Sequence, residues 1–520
     1  MKQMSAPNFL FIQADQMAAP VLPVYGHPLV KTPHLESLAR DGVTFENAYC
    51  NNPICASSRF SMMAGQLSSR ISAYDNAAEF PATVPTFAHY LRALGYTTCL
   101  SGKMHFVGPD QLHGFEERLT TDIYPSDFGW TPDWSNGDRQ LPPSGMSMRS
   151  VVEAGLCRRS LQIDYDEDVG FQAVQKIYDY AREPDGKPFF LAASFTHPHN
   201  PFTITPEFWD LYDHDDIDLP KYPGKPVEER DPWSRRYHYL IRQDEHEITD
   251  EHLRDARHAY YGMVSYVDHH VGRLLGALEA TGLAGNTIVV FTADHGEMMG
   301  ERGMWYKFNP FEWSVRVPLI VRAPGNAKGR REAKSVSLVD LLPTLLDLAT
   351  DGSPPDLVEP VDGHTWSGML HGEDDSRPDE AMVEFTAEGA IAPCLILRKG
   401  PYKYIYSEPD PGMMFDVETD PGEQENLCGD PEHKDLEEEM LADILGRWDP
   451  QSIKEDILES QRRRHFIQSV LMSGRPAPWD YQPMRDASQQ YLRTGGSPTM
   501  VKGLARFPYM EPVPPDFPRA

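Results

Sequence analysis

Positive charge is what this sequence lacks most. Its 48 lysines and arginines face 78 aspartates and glutamates, a formal charge of −30, and that excludes the partners that clustered cations hold, nucleic acid and anionic membrane surfaces first. Long apolar runs are missing as well. The N-terminal "MKQMSAPNFLFIQADQ" has one early lysine, and Gln13 and Asp15 interrupt its short apolar stretch. Neither a signal peptide nor a membrane span fits, so a cytoplasmic location without membrane attachment is expected. Cysteine is scarce: six in 520 residues, at positions 50, 55, 99, 157, 394 and 428, with no CxxC pair. That excludes a disulfide scaffold and argues against a zinc ribbon. There is no internal repeat.

What is present is a chain long enough for two domains or one large domain with a subdomain. It is 40% hydrophobic, with 46 prolines and 38 glycines, the composition of a loop-rich globular enzyme. Short apolar runs, "NFLFIQA" (8–14), "YTTCLSG" (96–102), "KPFFLAASF" (187–195), "NTIVVFTAD" (286–294) and "VPLIVRA" (317–323), have the length and β-branched or aromatic content of strands buried on both faces. Helical patterns alternate with them. "TPHLESLARDG" begins with a Thr cap and a first-turn proline, "DEDVGFQAVQKIYDYARE" follows later, and "DARHAYYGMVSYVDHHVGRLLGALEATG" carries a stripe of Val264, Val267, Val271, Leu274 and Leu278. The alternation predicts an α/β fold with a mainly parallel sheet.

After about residue 380 the rhythm changes to closely spaced strands, "AMVEFTA", "PCLILRKG" and "YKYIYSE", and then the acidic helix "PEHKDLEEEMLADILGRW". This predicts a small antiparallel sheet with a covering helix. From "ESQRRRHFIQSVLMSG" onward the chain turns aromatic, Arg-rich and finally Pro-rich, an extended arm that needs another surface. The expected division is 1–378 for the α/β domain, 379–461 for the small subdomain and 462–520 for the arm.

In open α/β sheets ligands gather at the carboxyl ends of the strands. Polar residues just past the apolar runs are Asp15 and Gln16, Lys103 and His105, His197 and His199, and Asp294 and His295. Singly, each has a structural explanation as a helix cap or a satisfied histidine. Together, Asp15, Gln16, Asp294 and His295 make an oxygen-rich set for a hard divalent cation. Lys103, His105, His199 and Lys307 add positive or proton-donating groups around an anion, the layout of a site for a tetrahedral oxyanion ester. "NNPICASSRFSMMAG" (51–65) leaves Cys55 open as a buried thiol, a metal ligand or the precursor of something more reactive.

"CASSR" with "MMAGQLSSR", together with "NFLFIQADQ", "GKMHF", "THPHNPF", "TADHGEMMGERGMWYK" and "SVRVPLIVRAPG", resembles the type I sulfatases of the alkaline-phosphatase-like superfamily in order and spacing. "GKMHFVGPDQLHGFEERLTTDIYPSDFGWTPDW" (102–134) and "RRRHFIQSVLMSGRPAPWDYQPMRDASQQYLR" (462–493) resemble the choline sulfatase branch. The resemblance implies an alkaline-phosphatase-like sheet and hydrolysis of a small organic sulfate monoester, choline O-sulfate or a related alkyl or aryl sulfate. It implies a formylglycine nucleophile made from Cys55 by a formylglycine-generating enzyme. Asp15, Asp294, His295 and the modified Cys55, with Gln16 as a further ligand, would hold the metal, Ca²⁺, with Mg²⁺ or Mn²⁺ as alternatives. Arg59 would orient the nucleophile, Lys103 and Lys307 would bind sulfate oxygens, His105 would serve turnover of the hydrated aldehyde, and His199 would act at the leaving oxygen. The C-terminal arm would close a neighbour's site in a homo-oligomer, a dimer or a tetramer.

Aromatic faces attract quaternary ammonium groups, so Tyr124 and Trp130 are candidate substrate contacts, with His197 as a further one and Glu384 or Glu388 as an acidic partner. Two departures stand against the resemblance. Ser57 occupies the place of the proline in the family's C-x-P-S-R signature, and "TGGSPTM" (494–500) lacks the acidic run expected of the arm. They keep two alternatives open: a phosphonate monoester or phosphodiester hydrolase of the same superfamily, and a dormant anion-binding member whose Cys55 is not converted.

Overall fold

A computed structural model describes residues 6–124, 126–140, 142–182, 186–373 and 376–473. The strands, in chain order, are β1 (Asn8–Ala14), β2 (Val43–Tyr49), β3 (Thr97–Gly102), β4 (Glu117–Arg118), β5 (Gly155–Leu156), β6 (Phe189–Ser194), β7 (Thr203–Ile204), β8 (Thr287–Ala293), β9 (Arg316–Arg322), β10 (Arg330–Glu332) and β11 (Val336–Ser337). In the main sheet β1 lies near the centre of the order β10-β2-β9-β8-β1-β6-β3-β4, with β11 also on β2. Parallel pairing joins β8, β1, β6, β3 and β4. All of β1, β6 and β8 is buried, as strands covered by helices on both faces must be.

The long helix Asp250–Ala280 buries Val264, Val267, Val271, Leu274 and Leu278 and packs on helix Leu161–Arg182, which in turn lies against β3 and β6. Two features were not predicted. β2 escapes sequence reading because Thr44, Glu46 and Asn47 interrupt its apolar residues, and its pairing with β9 shifts register between Phe45 and Ala48. β9 itself runs antiparallel to both β8 and β2, since the chain from β8 returns without a crossover helix of the length a parallel pair needs.

A second sheet of β12 (Glu380–Phe385), β13 (Cys394–Lys399), β14 (Tyr402–Tyr406) and β15 (Met413–Asp416) is antiparallel throughout. Alternation along its strands splits its side chains between two cores. Val383, Phe385, Ile396 and Ile405 join the main one, while Leu395, Leu397, Tyr404 and Met414 meet Met440, Ile444 and Trp448 from the covering helix. The boundary expected at 461/462 falls inside a continuous helix, Pro450–Met472. The last part of the predicted arm, from 474 on, lies outside the described residues. No helix among the described residues is long and apolar enough to cross a membrane.

Candidate active site

The parallel strands β8, β1, β6 and β3 are neighbours, so their carboxyl ends deliver Asp294 and His295, Asp15 and Gln16, His197 and His199, and Lys103 and His105 along one sheet edge. Opposite them, helix Cys55–Ala64 starts at Cys55 and is buried over its whole length. Its amino end has no side-chain cap at Ile54; instead Ala56 N–H donates to Asn76 Oδ1 at 3.0 Å. The first intrahelical bond is Ser58 N–H to Ile54. The Ser57 N–H therefore precedes the helical ladder, where a proline would forfeit no bond. Serine in its place is buried with its Oγ lacking a hydrogen-bond partner among the described residues, and the helix still starts at Cys55.

Arg59, one turn along the same face, ties the floor together. Its Nε donates to Asp294 Oδ2 at 2.8 Å and its Nη2 to Asp15 Oδ2 at 3.1 Å, while Nη1 reaches Gln13, Ser194 Oγ and the Lys103 carbonyl at 3.1, 2.8 and 2.6 Å. Lys103 Nζ also donates to Asp15. Asp294 Oδ1 takes the backbone N–H groups of Gln16 and His295 at 3.0 and 2.9 Å. Cys55 Sγ lies 3.2 Å from His295 Nε2 and 3.9 Å from Asp15 Oδ1. Asp15, Cys55, Asp294 and His295 are all buried and offer ligand atoms within 4.8 Å of one another. Two carboxylates buried with an imidazole and a sulfur form a donor set that a divalent cation fits, beside the Arg59 and Lys103 charges that already pair with the carboxylates.

The electrostatics follow from this packing. Burial pushes the Asp15 carboxyl up and Cys55 adds to that, but Lys103, His199 and Arg59 prevail and hold it down at about 2. Burial also raises the Cys55 thiol, yet Lys103, Lys307 and His295 outweigh it and keep it well below the ordinary thiol range. His295 is raised: burial opposes its charge, and Asp294 and Cys55 favour it.

Above the floor opens a cleft of about 300 Å³ lined in part by Cys55, Lys103, His105, Tyr124, Trp130 and Lys307. Lys307 Nζ sits 2.8 Å from His199 Nε2 and 2.5 Å from Gln16 Oε1. His199 Nδ1 must donate to the Asn200 carbonyl at 2.6 Å, so its Nε2 is bare and accepts from Lys307. Burial and then Lys307 lower the His199 pKa. Gln16 thus turns its oxygen to Lys307 and its amide to Glu297.

The predicted residues divide. Cys55, Lys103, His105, His199, Lys307, Tyr124 and Trp130 line the cleft, and Asp15, Arg59, Asp294 and His295 lie beneath it. His197 does not join them: its Nδ1 pairs with Asp166 Oδ2 at 2.7 Å and its ring meets the edge of Tyr266. Glu384 is enclosed by Ser68, Ser69 and the Trp448 indole, whereas Glu388 stands behind the wall, accepting from Ser144 Oγ at 3.3 Å. Trp134 is likewise internal, donating to the Ala387 carbonyl.

Sequence reasoning missed Asn76, which holds the start of the Cys55 helix, and Asp122, which accepts the His105 N–H at 2.7 Å and the Arg118 guanidinium at 2.8 Å. Neither follows an apolar run, so no local signal marked them. It also missed the wall formed by Ser144, Met146, Ser147 and Ser150.

The sulfatase family model matches residues 7–352, the C-terminal model of N-sulphoglucosamine sulphohydrolase matches 300–447, and the choline sulfatase C-terminal model matches 455–507. A choline-sulfatase from Rhizobium meliloti is 41% identical over 96% of this chain and 98% of its own length. An arylsulfatase from Clostridium perfringens is 30% identical over 85% and 95%. Among solved structures, a phosphonate monoester hydrolase of Agrobacterium radiobacter superposes with a TM-score of 0.69 at 25% identity, covering 87% of this chain and 96% of that one.

Proposed function

The chain belongs to the type I sulfatases, in their choline sulfatase branch and with their alkaline-phosphatase-like fold, and on that premise we propose that it hydrolyses choline O-sulfate using a formylglycine made from Cys55. The observation that carries the reading is the position of Cys55, first residue of a buried helix, between the Asp15, Asp294 and His295 donors and the cationic cleft. When formed, the hydrated aldehyde of formylglycine supplies two hydroxyls on one carbon, one to attack sulfur and one whose proton loss lets sulfate depart.

The chain's own residues do the rest. Asp15, Asp294, His295 and residue 55 would hold the divalent cation, Ca²⁺ in this reading with Mg²⁺ or Mn²⁺ as alternatives, whose charge offsets that of the sulfate oxygens. Arg59 fixes both carboxylates and, through them, the orientation at residue 55. Lys103 and Lys307 both line the cleft, where their charges would meet the sulfate oxygens. A sulfate ester repels nucleophiles through its anionic oxygens, and these fixed cations act where charge gathers. His199 presents a neutral Nε2 already accepting from Lys307, so the two act as one acid toward the leaving oxygen. His105 is within the same cleft, and its ring nitrogens, which have no hydrogen-bond partner among the described residues, would be available to take a proton from the group at residue 55.

The C-terminal arm is assigned to a homo-oligomer, dimer or tetramer. Phe466, Val470 and Met472 are each more than half exposed on the end of helix Pro450–Met472, an apolar surface that a second copy would cover. The division at 378/379 and 461/462 belongs to the same reading.

Mass spectrometry of the tryptic peptide containing residue 55, on protein from the native host, tests the nucleophile: an aldehyde or its hydrate is expected, and wholly unmodified thiol would overturn it. Matched rates on choline O-sulfate, an aryl sulfate and a phosphonate monoester rank the substrates. The structural likeness to a phosphonate monoester hydrolase is the reason for the third arm, and a faster rate there would replace the sulfate ester.

A further inference from the structure

Glu297, two residues past His295, is fully buried and does not line the cleft. Its Oε1 accepts the N–H groups of Met299 and Tyr306 at 3.0 and 2.5 Å. Both residues have left-handed backbone, with φ of 46° and 60°, so this oxygen ties together the two ends of an irregular segment just ahead of Lys307. Its Oε2 accepts from the Gln16 amide. Gln16 is itself fixed at the backbone: its N–H donates to Asp294 Oδ1 at 3.0 Å, and its carbonyl takes the Tyr260 hydroxyl at 2.6 Å.

The Gln16 amide has one orientation that satisfies both neighbours. Lys307 Nζ carries hydrogens and no lone pair, so the amide atom 2.5 Å from it must be the oxygen. The amide nitrogen then falls on the other side, where Glu297 Oε2 and Asn200 Oδ1, the latter at 3.3 Å, both accept. A glutamine at 297 could meet the Met299 and Tyr306 N–H groups with its oxygen, so the loop alone does not demand a carboxylate. It would then present its own amide hydrogens to those of Gln16. Only a group that accepts at both oxygens holds the loop and the Gln16 amide at once. The effect reaches the cleft through Lys307. Of its three N–H bonds, one goes to Gln16 Oε1 and one to His199 Nε2 at 2.8 Å, which leaves one for an anion in the cleft that Lys307 lines.

We propose that Glu297 is a positioning residue that acts through Gln16: it locks the amide with its oxygen toward Lys307, and so fixes which N–H of Lys307 meets His199 and which meets the anion. This rests on the sulfate ester reading, in which Lys307 and His199 act together on the leaving oxygen. A buried donor set against another donor loses its hydrogen bond without compensation. In Glu297→Gln the Gln16 amide escapes that clash only by turning its nitrogen to Lys307, and Lys307 then loses its acceptor.

Wild type, Glu297→Gln, Gln16→Glu and the double variant, all full length, test it. Glu297→Gln keeps both backbone bonds and should melt within about 3 °C of wild type. Its kcat/KM should fall about 10- to 100-fold for choline O-sulfate, whose alkoxide needs a proton to leave, and under about tenfold for a nitrophenyl sulfate, whose phenolate does not. Gln16→Glu alone sets carboxylate against carboxylate and should lose activity as well. The double variant exchanges donor and acceptor, the carboxylate at 16 accepting from Lys307 and from the amide at 297, so at least about tenfold of the loss should return. A purely structural Glu297 predicts additive losses instead. Calorimetric titration with inorganic sulfate reads the same geometry without turnover: Kd should rise about tenfold in Glu297→Gln and fall back in the double variant. Unmodified Cys55 in the wild type would sink the nucleophile and leave these Kd differences standing. If Glu297→Gln does not fold, Gln16→Met, which spares both backbone bonds, should show the same leaving-group dependence and the same rise in Kd. Additive losses in the double variant, or a sulfate Kd that these substitutions do not move, would overturn the proposal.

Discussion

The floor and the wall of the cleft are built in different ways. On the floor, Asp15, Arg59, Lys103 and Asp294 are fully buried and nearly every polar atom has a named partner, most of them at the ends of neighbouring parallel strands. The wall, Tyr124 with 126–134 and 144–150, is made of loops and short helical turns held from outside. Arg464 of the C-terminal helix makes a bidentate pair with Asp75 at 2.6 and 2.7 Å, beside Asn76, and its neighbours Gln461 and His465 reach the Trp134 N–H and the Pro132 carbonyl. A saturated floor cannot vary without losing the reaction, whereas a wall stapled from a distant segment can be re-cut for another leaving group. On the proposed function, the chemistry would reside in the strand ends and the substrate preference in the loops and the C-terminal helix.

The sharpest break between the two should come at Cys55. Cys55→Ala is expected to lower kcat/KM for any sulfate ester by at least about 10⁴-fold, the scale of losing a nucleophile, with an unchanged circular dichroism spectrum. Retention of activity within tenfold would remove the distinction between floor and wall altogether. Next is Arg59→Met, which strips the shared partner from Asp15 and Asp294. Breaking a buried pair costs about 3–5 kcal/mol, and two stranded carboxylates place this variant at the upper end, about 5 kcal/mol. Urea unfolding measures it, and a loss under about 1 kcal/mol would mean that Lys103 alone suffices.

What was legible in the sequence follows the same line. Asp15, Lys103 and Asp294 each stand just past an apolar run, so the strand ends announce them. Helix Cys55–Ala64 gave no such signal, because a helix buried on every side has no polar face and hence no period to detect. His197 and His199 could not be told apart by composition; the fold turns one to Asp166 and the other to Lys307. Glu384 and Glu388 were equally ambiguous until the former closed the end of β12 under Trp448. The Asp75–Arg464 pair spans 389 positions, and no local pattern can report a contact that only the assembled fold creates.

That pair gives the third prediction. Arg464→Met leaves Asp75 buried without its partner, a cost at the lower end of the same range, about 3 kcal/mol, and should disturb kcat/KM for choline O-sulfate more than for a small aryl sulfate. An equal loss on both would assign Arg464 to stability alone. Glu388 offers a pH-dependent counterpart. Burial lifts its carboxyl from an ordinary 4.5 to about 7, so the native state holds a proton that the unfolded chain releases. The stability linked to it is fully present below pH 4.5 and is lost as the pH rises through about 7, at most about 3 kcal/mol. Glu388→Gln should match wild type at pH 4.5 and exceed it at pH 8 in urea unfolding. A constant difference across that window would mean that the carboxyl keeps its ordinary pKa.

The smallest effect expected is also the most specific. Among the described residues no carboxylate lines the cleft, so a quaternary ammonium in it depends on ring faces. The Tyr124 face is occupied, with Lys103 Nζ 4.7 Å from its centroid and the His199 ring 5.1 Å away. Trp130 lines the same cleft half-buried and meets the His105 ring in an edge contact at 6.0 Å, which makes its indole the face a substrate cation would meet. A desolvated cation–π contact contributes about 1–2 kcal/mol, which is roughly tenfold in binding. Trp130→Ala should therefore raise KM for choline O-sulfate about tenfold with kcat nearly unchanged, because the contact is made equally in ground and transition states. Trp130→Phe should recover part of the loss, since a smaller π-face remains. A neutral isostere carrying a tert-butyl group in place of trimethylammonium separates charge from shape: if Trp130→Ala weakens it as much as it weakens choline O-sulfate, the wall reads size rather than charge, and the preference for a cation must come from outside this cleft.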